Sequence, residues 1–190
     1  RRETIDAKAL LEDQCQQPVL GYRAATYSII RKSLWALDIL CEAGFQYDSS
    51  IFPIVHDRYG IPDAPRFPYR VKLPSGGHMA EFPLTTFMVL GQRLPVAGGG
   101  YFRLAPYALV KAALRHVNHA EGQPVIVYLH PWELDPDQPR LPVGPLTRFR
   151  HYVNLDTTHQ KLRRLLVDFQ FAPIGQILRR AGLLRTGARS

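Results

Sequence analysis

The run Val125 to Pro136, V-I-V-Y-L-H-P-W-E-L-D-P, limits the folds open to this chain more than any other stretch. Apolar, largely β-branched residues follow Pro124 and lead into His130, and Pro131 then ends any regular ladder because it has no N–H to donate. An uninterrupted apolar run fits a strand covered on both faces, as in a parallel sheet, since a half-exposed strand alternates apolar with polar. Ligands of parallel α/β proteins sit at the carboxyl ends of the strands. His130 is therefore the first candidate for chemistry. The competing reading is a structural imidazole bonded to a loop carbonyl, with Trp132 as ordinary core.

At 190 residues, 46% of them hydrophobic and 21% charged, the chain can bury a good core, and one domain is the expected organisation. No apolar run approaches the ~20 residues of a membrane span. Cys15 and Cys41 lie on helical patterns outside any C-x-x-C spacing, which predicts a reduced structural pair rather than a disulfide framework or metal knot. The net charge of +8, from 24 Lys and Arg against 16 Asp and Glu, would suit an anionic polymer. The cations are spread along the chain, however, and no helix-turn-helix, zinc-finger or RNA-binding signature accompanies them, so a nucleic-acid partner is not expected.

Periodicity predicts an amphipathic helix over Glu3 to Gln14, with Ile5, Ala9 and Leu10 near one face, and a short strand over Val19 to Arg23. A helix from Ser33 carries Leu34, Leu37, Leu40 and Cys41 on one stripe and closes at Gly44, and Phe45 to Tyr47 is the next strand. Strand, helix, strand in this order argues for a parallel crossover. After a proline-rich excursion, Tyr69 to Leu73 and His78 to Phe82 read as a hairpin around Pro74-Ser75-Gly76-Gly77. A helix opening at Pro106 carries Leu109, Val110, Ala113, Leu114 and Val117; after the His130 strand, the segment to Pro145 reads as loop. Thr157 with Gln160 suggests a capping box before Leu162 and Leu165, Phe169 to Ile174 a last strand, and the Arg-rich tail a helix.

Three polar side chains, Arg23, Glu81 and His130, fall at or just beyond the ends of separate expected strands, and one parallel sheet or barrel would bring them to one rim. His116 and His119, three apart beside Arg115, suit the C-terminal end of a helix better than a metal site. His56-Asp57-Arg58 is a loop triplet with no assigned role. Gly98-Gly99-Gly100 lacks the Gly-Lys-Ser/Thr ending of a phosphate loop.

The runs G-Y-R-A-A-T-Y-S at 21–28, Y-D-S-S-I-F-P at 47–53, E-F-P-L-T-T at 81–86, G-G-G-Y-F-R at 98–103 and Y-L-H-P-W-E-L-D-P at 128–136 together resemble the NodB-homology polysaccharide deacetylases. The closer likeness is to the bacterial branch found in exopolysaccharide and exosortase gene clusters, which carries a C-terminal extension. The resemblance implies an α/β chain forming the C-terminal part of a distorted (β/α) barrel, with residues 1–136 in the barrel and 137–190 as the extension packed on the same domain. It implies metal-dependent hydrolysis of N-acetyl groups on a bacterial polysaccharide, with zinc the expected metal. Arg23 would orient the aspartate base, Glu81 would tune the histidine, and His130 would be the general acid.

On the same basis the backbone N–H near Thr26 would stabilise the oxyanion, Leu129 would line the acetyl pocket, and Thr26, Tyr27, Trp132 and Tyr101 would meet substrate. The family's arginine motif usually continues to a proline, but Ala24-Ala25 follows Arg23 here. Its metal-binding aspartate and histidines and its aspartate base belong to motifs expected upstream of Arg1, so this chain is expected to hold no catalytic metal alone and to self-associate through an incomplete barrel. The location implied is the cytoplasm or the inner side of a membrane, with the periplasm as alternative. The rival functions are a non-catalytic carbohydrate-binding remnant and, behind it, a nucleic-acid binder.

Overall fold

A computed structural model of the chain describes residues 1–56 and 59–184, so Asp57 and Arg58 of the loop triplet and the end of the Arg-rich tail lie outside the described residues. In chain order the elements are α1 (Arg2–Cys15), β1 (Gly21–Tyr22), α2 (Trp35–Glu42), β2 (Tyr47–Asp48), β3 (Tyr69–Lys72), β4 (His78–Glu81), β5 (Thr86–Val89), β6 (Gln92–Pro95), α3 (Gly99–Leu104), α4 (Tyr107–Arg115), α5 (Pro145–Tyr152), α6 (Leu155–Asp168) and α7 (Ile174–Arg180). The class is mixed α/β. Among the described residues the strands form one four-stranded and one two-stranded sheet and no closed barrel. Contacts divide the chain into two compact units, Arg1–Leu84 with Ala172–Ser190, and Thr85–Phe171. No helix among the described residues is long and apolar enough to cross a membrane.

In the first unit the sheet order is β1-β2-β4-β3, with β1, β2 and β4 parallel and β3 antiparallel to β4. The expected β3–β4 hairpin forms because Gly76 (φ 98°) and Gly77 (φ 80°) take backbone angles that a side chain resists. Ser75 at its turn donates both its N–H and its hydroxyl to Asp38 on α2. Gly21 is required for another reason: a Cβ there would come within 2.1 Å of the Tyr47 ring. The core gathers Leu37, Leu40, Ile51, Val71 and Met79 between α2 and the sheet.

The amphipathic expectation for α1 fails: Ile5, Leu10 and Leu11 are exposed and the helix buries no residue. Polar groups tie it down instead. Glu12 pairs with Lys8 and accepts the Val19 N–H, and the Lys8 ammonium sits 5.7 Å from the Phe45 ring centre. Cys15 and Cys41 are both free and exposed, so neither belongs to the core.

The second unit is built on Phe102, Val110, Leu114 and Leu165, which α3, α4 and α6 bring together. Its β5–β6 hairpin turns on Leu90 (φ 48°) and Gly91 (φ 78°), a two-residue turn that sequence periodicity did not reveal. Leu109, expected in the α4 stripe, is exposed, while Val110, Ala113, Leu114 and Val117 are buried.

The Val125–His130 run is extended but is not a ladder strand. Tyr128 makes one parallel bridge with Gly98, donating to the Ala97 carbonyl (2.8 Å) and accepting from the Gly99 N–H (2.9 Å). The pairing cannot lengthen, because its neighbour turns into α3 at Gly99. Helix α5 begins where the expected loop ends, at Pro145. Two further expectations are corrected: α6 starts from Asn154 in a left-handed conformation, with the Thr157 and Thr158 hydroxyls donating to the Asn154 carbonyl in place of a capping box, and Phe169–Ile174 is not a strand.

Candidate functional site

In the first unit, register explains which side chains meet. Tyr22, Asp48 and Glu81 are partners across β1, β2 and β4, so the last residue of each strand lies on one rim, followed by Arg23 on the first strand and Ser49-Ser50 on the second. The Arg23 guanidinium forks onto Ser49, Nε to its carbonyl (2.9 Å) and Nη2 to its hydroxyl (2.7 Å), and Ser49 in turn donates to the Phe82 carbonyl (2.7 Å). Ser50 donates through both its N–H and its hydroxyl to the Asp48 carboxylate, while its hydroxyl accepts the Ala24 N–H (2.7 Å).

Asp48 and Glu81 are both wholly buried. Glu81 Oε1 accepts the Ile51 N–H (3.0 Å), and Oε2 finds no ordinary donor among the described residues. Burial, and then the neighbouring Asp48, push Glu81 well above the usual carboxylate range, with Arg23 pulling weakly the other way; burial also raises Asp48, against its hydrogen bonds from Ser50. Two like charges in so dry a place cannot both persist. A proton held between the two carboxyls gives Glu81 Oε2 a partner and removes the repulsion.

Beyond this rim the loop after Arg23 is strained: Thr26 (φ 54°) and Tyr27 (φ 52°) are consecutive left-handed residues that are not glycine. Tyr27 meets Phe52 and Tyr59 edge-on, each at 5.5 Å, and His56 stacks on Tyr59 at 3.7 Å. Thr26 itself is exposed.

In the second unit His130 is held from below and open above. Its backbone N–H donates to Glu133 Oε2 (2.8 Å), and Glu133 Oε1 accepts Arg103 Nε (2.8 Å) in an ion pair that is almost wholly buried. Glu133 is placed for this by the turn that Pro131 starts. The imidazole is exposed, with the Tyr128 hydroxyl 2.8 Å from Nε2 and Trp132 stacked at 6.0 Å. Trp132 is packed in turn on His151 (4.2 Å) and under the Arg103 guanidinium. Leu129 and His130 line one open cleft of about 360 Å³ together with Leu134, Leu162, Leu166 and Phe171. Tyr101 lies elsewhere in the unit, lining an apolar cavity of about 700 Å³ with Phe87, Leu94 and Leu109.

A family model described as a domain of unknown function, DUF3473, matches residues 49–179, more than half of the chain. This chain belongs to the DUF3473 family. The match takes in Glu81, Tyr101, Leu129, His130 and Trp132 and leaves out the run at 21–28 with Arg23, Thr26 and Tyr27. No curated protein and no solved structure matches the chain.

The described residues of this DUF3473 chain do not fit a catalytic metal. Among them no three His, Cys, Asp or Glu side chains converge, and the Asp48 and Glu81 carboxyls already accept from Ser50 and from the Ile51 N–H. His116 instead meets the Phe87 ring edge-on at 5.4 Å. The structure thus groups Arg23 and Glu81 with Asp48 in one unit, and Leu129, His130 and Trp132 with Tyr128, Glu133 and Arg103 in the other. Sequence reasoning missed Asp48 and Glu133 as site residues. An acid three residues after a strand-end histidine and two after a proline was the available signal for Glu133; nothing short of strand register points to Asp48.

Proposed function

We infer that this DUF3473 chain carries part of a polysaccharide deacetylase-type hydrolase, acting on N-acetyl groups of a bacterial polysaccharide, with His130 as the acid that protonates the departing amine. One observation carries the reading: an exposed imidazole whose backbone is locked by a buried acid stands at the edge of an apolar cleft that Leu129 also lines. The association of DUF3473 with polysaccharide deacetylase-like proteins supports it, as do the five sequence runs. An acetamide is hydrolysed by adding water to the carbonyl and then breaking the C–N bond. The amine leaves only once its nitrogen has been protonated, which is an imidazolium's task near neutral pH. A cleft of about 360 Å³ with largely apolar walls can take an acyl group.

In the first unit, Arg23 and the Asp48–Glu81 pair fix the ends of the parallel strands and the strained turn at Thr26 and Tyr27. No step is assigned to a metal, because the described residues offer no site for one.

The reading is tested by titrating the labelled protein with chitin oligosaccharides and with their deacetylated forms while following amide resonances. Shifts at Leu129, His130 and Trp132 with the acetylated form only are expected. Equal shifts with both forms, or shifts confined to other residues, would remove the acetyl pocket from the account.

A further inference from the structure

The segment from Gln138 to Leu155 contains no Asp or Glu, yet it holds Arg140, Arg148 and Arg150. All residues from 139 to 150 are exposed, and four of them are large and apolar: Leu141 (62% exposed), Val143 (38%), Leu146 (62%) and Phe149 (55%). On α5 the helical period puts Leu146 and Phe149 on one outward face with Arg148 and Arg150 to either side, while His151, facing inward, stacks on Trp132.

A short helix with a bare apolar face would ordinarily fold back or fray. This one is clamped. The Arg103 guanidinium, buried and paired with Glu133, donates to the carbonyls of Arg150 (3.0 Å), His151 (2.8 Å) and Val153 (3.0 Å) at the C-terminal end of α5. Asn154 Nδ2 donates back to the Arg103 carbonyl (3.0 Å), and the Tyr152 hydroxyl, stacked under Arg140, accepts the Leu141 N–H (2.9 Å). The buried network therefore holds the apolar face outward.

We propose that α5 and the loop before it dock on the surface of a bilayer carrying anionic phospholipids. Leu141, Val143, Leu146 and Phe149 enter the headgroup–acyl boundary, and Arg140, Arg148 and Arg150 lie along their apolar stems with the guanidinium groups on lipid phosphates. The charge decides the occupant: three arginines with no acid among them complement an anionic surface, and the aliphatic side chains between them require one with an apolar layer beneath.

The test is co-sedimentation of the full chain with vesicles of phosphatidylcholine alone and of phosphatidylcholine with about 30% phosphatidylglycerol. Binding to the anionic vesicles that weakens between 0.1 and 0.5 M salt is expected. Leu146→Ser with Phe149→Ser should weaken it about tenfold or more, and Arg148→Glu with Arg150→Glu about 25-fold or more. All four positions are exposed, so thermal unfolding should be unchanged. Equal binding to neutral vesicles, no binding to anionic ones, or undiminished binding by the serine pair would each overturn the proposal.

Discussion

Asp48 and Glu81 end neighbouring parallel strands in matched register, and both carboxyls are shut away from solvent. With Ser50 and the Ile51 N–H as their donors and Arg23 acting only weakly on Glu81, the pair keeps a proton into a pH range where ordinary carboxylic acids have lost theirs.

That proton makes the stability of the first unit depend on pH. A carboxyl whose pKa is higher in the folded than in the unfolded state stabilises the fold fully below the unfolded value, near 4. The contribution declines as pH rises from there through the raised folded value. Glu81→Gln keeps the acceptor for Ile51 and gives Asp48 a permanent donor. The variant should melt close to wild type below about pH 4 and higher than wild type at pH 8, by on the order of 5 °C. Thermal unfolding across pH checks this; parallel curves for the two proteins would mean that no proton is shared.

Arg103 carries a heavier structural load than its place in the sequence suggests. Arg103→Met leaves Glu133 charged, buried and unpaired and strips three carbonyls of their donor. A loss of about 3–5 kcal/mol is expected. Arg103→Lys should recover less than half of it, because one ammonium cannot reach the acid and the α5 carbonyls together. Chemical denaturation followed by signals of the second unit measures both; a lysine variant as stable as wild type would contradict the shared-fork geometry.

The left-handed turn at Thr26 and Tyr27 stores strain that glycine would release. Thr26 is exposed, so Thr26→Gly removes little contact and should raise stability by about 1 kcal/mol despite glycine's greater freedom in the unfolded chain. A drop in the denaturation midpoint would show that the turn is not strained.

Much of the first unit was legible because its signals are local. Gly44, Gly76 and Gly77 mark chain reversals, and apolar runs ending in Arg23 and Glu81 mark strand ends, so the rim could be anticipated. Asp48 escaped because its role arises from register with Glu81, a relation between residues 33 apart that no local pattern encodes. The apolar run before His130 misled for a related reason: β-branched residues favour extension, but a ladder needs a neighbour, and the one at Ala97–Gly99 turns away into α3. On α1, the apolar residues were visible while the polar contacts that anchor it were not.

The most direct measurement of the functional reading is acetate release from N-acetylglucosamine oligomers by the full-length gene product, with and without His130→Ala. The imidazole is exposed and its backbone contact to Glu133 survives truncation, so folding should be unchanged while turnover falls by ~10²–10⁴. Turnover within a few-fold of wild type in the alanine variant would contradict the assignment of His130 as the general acid.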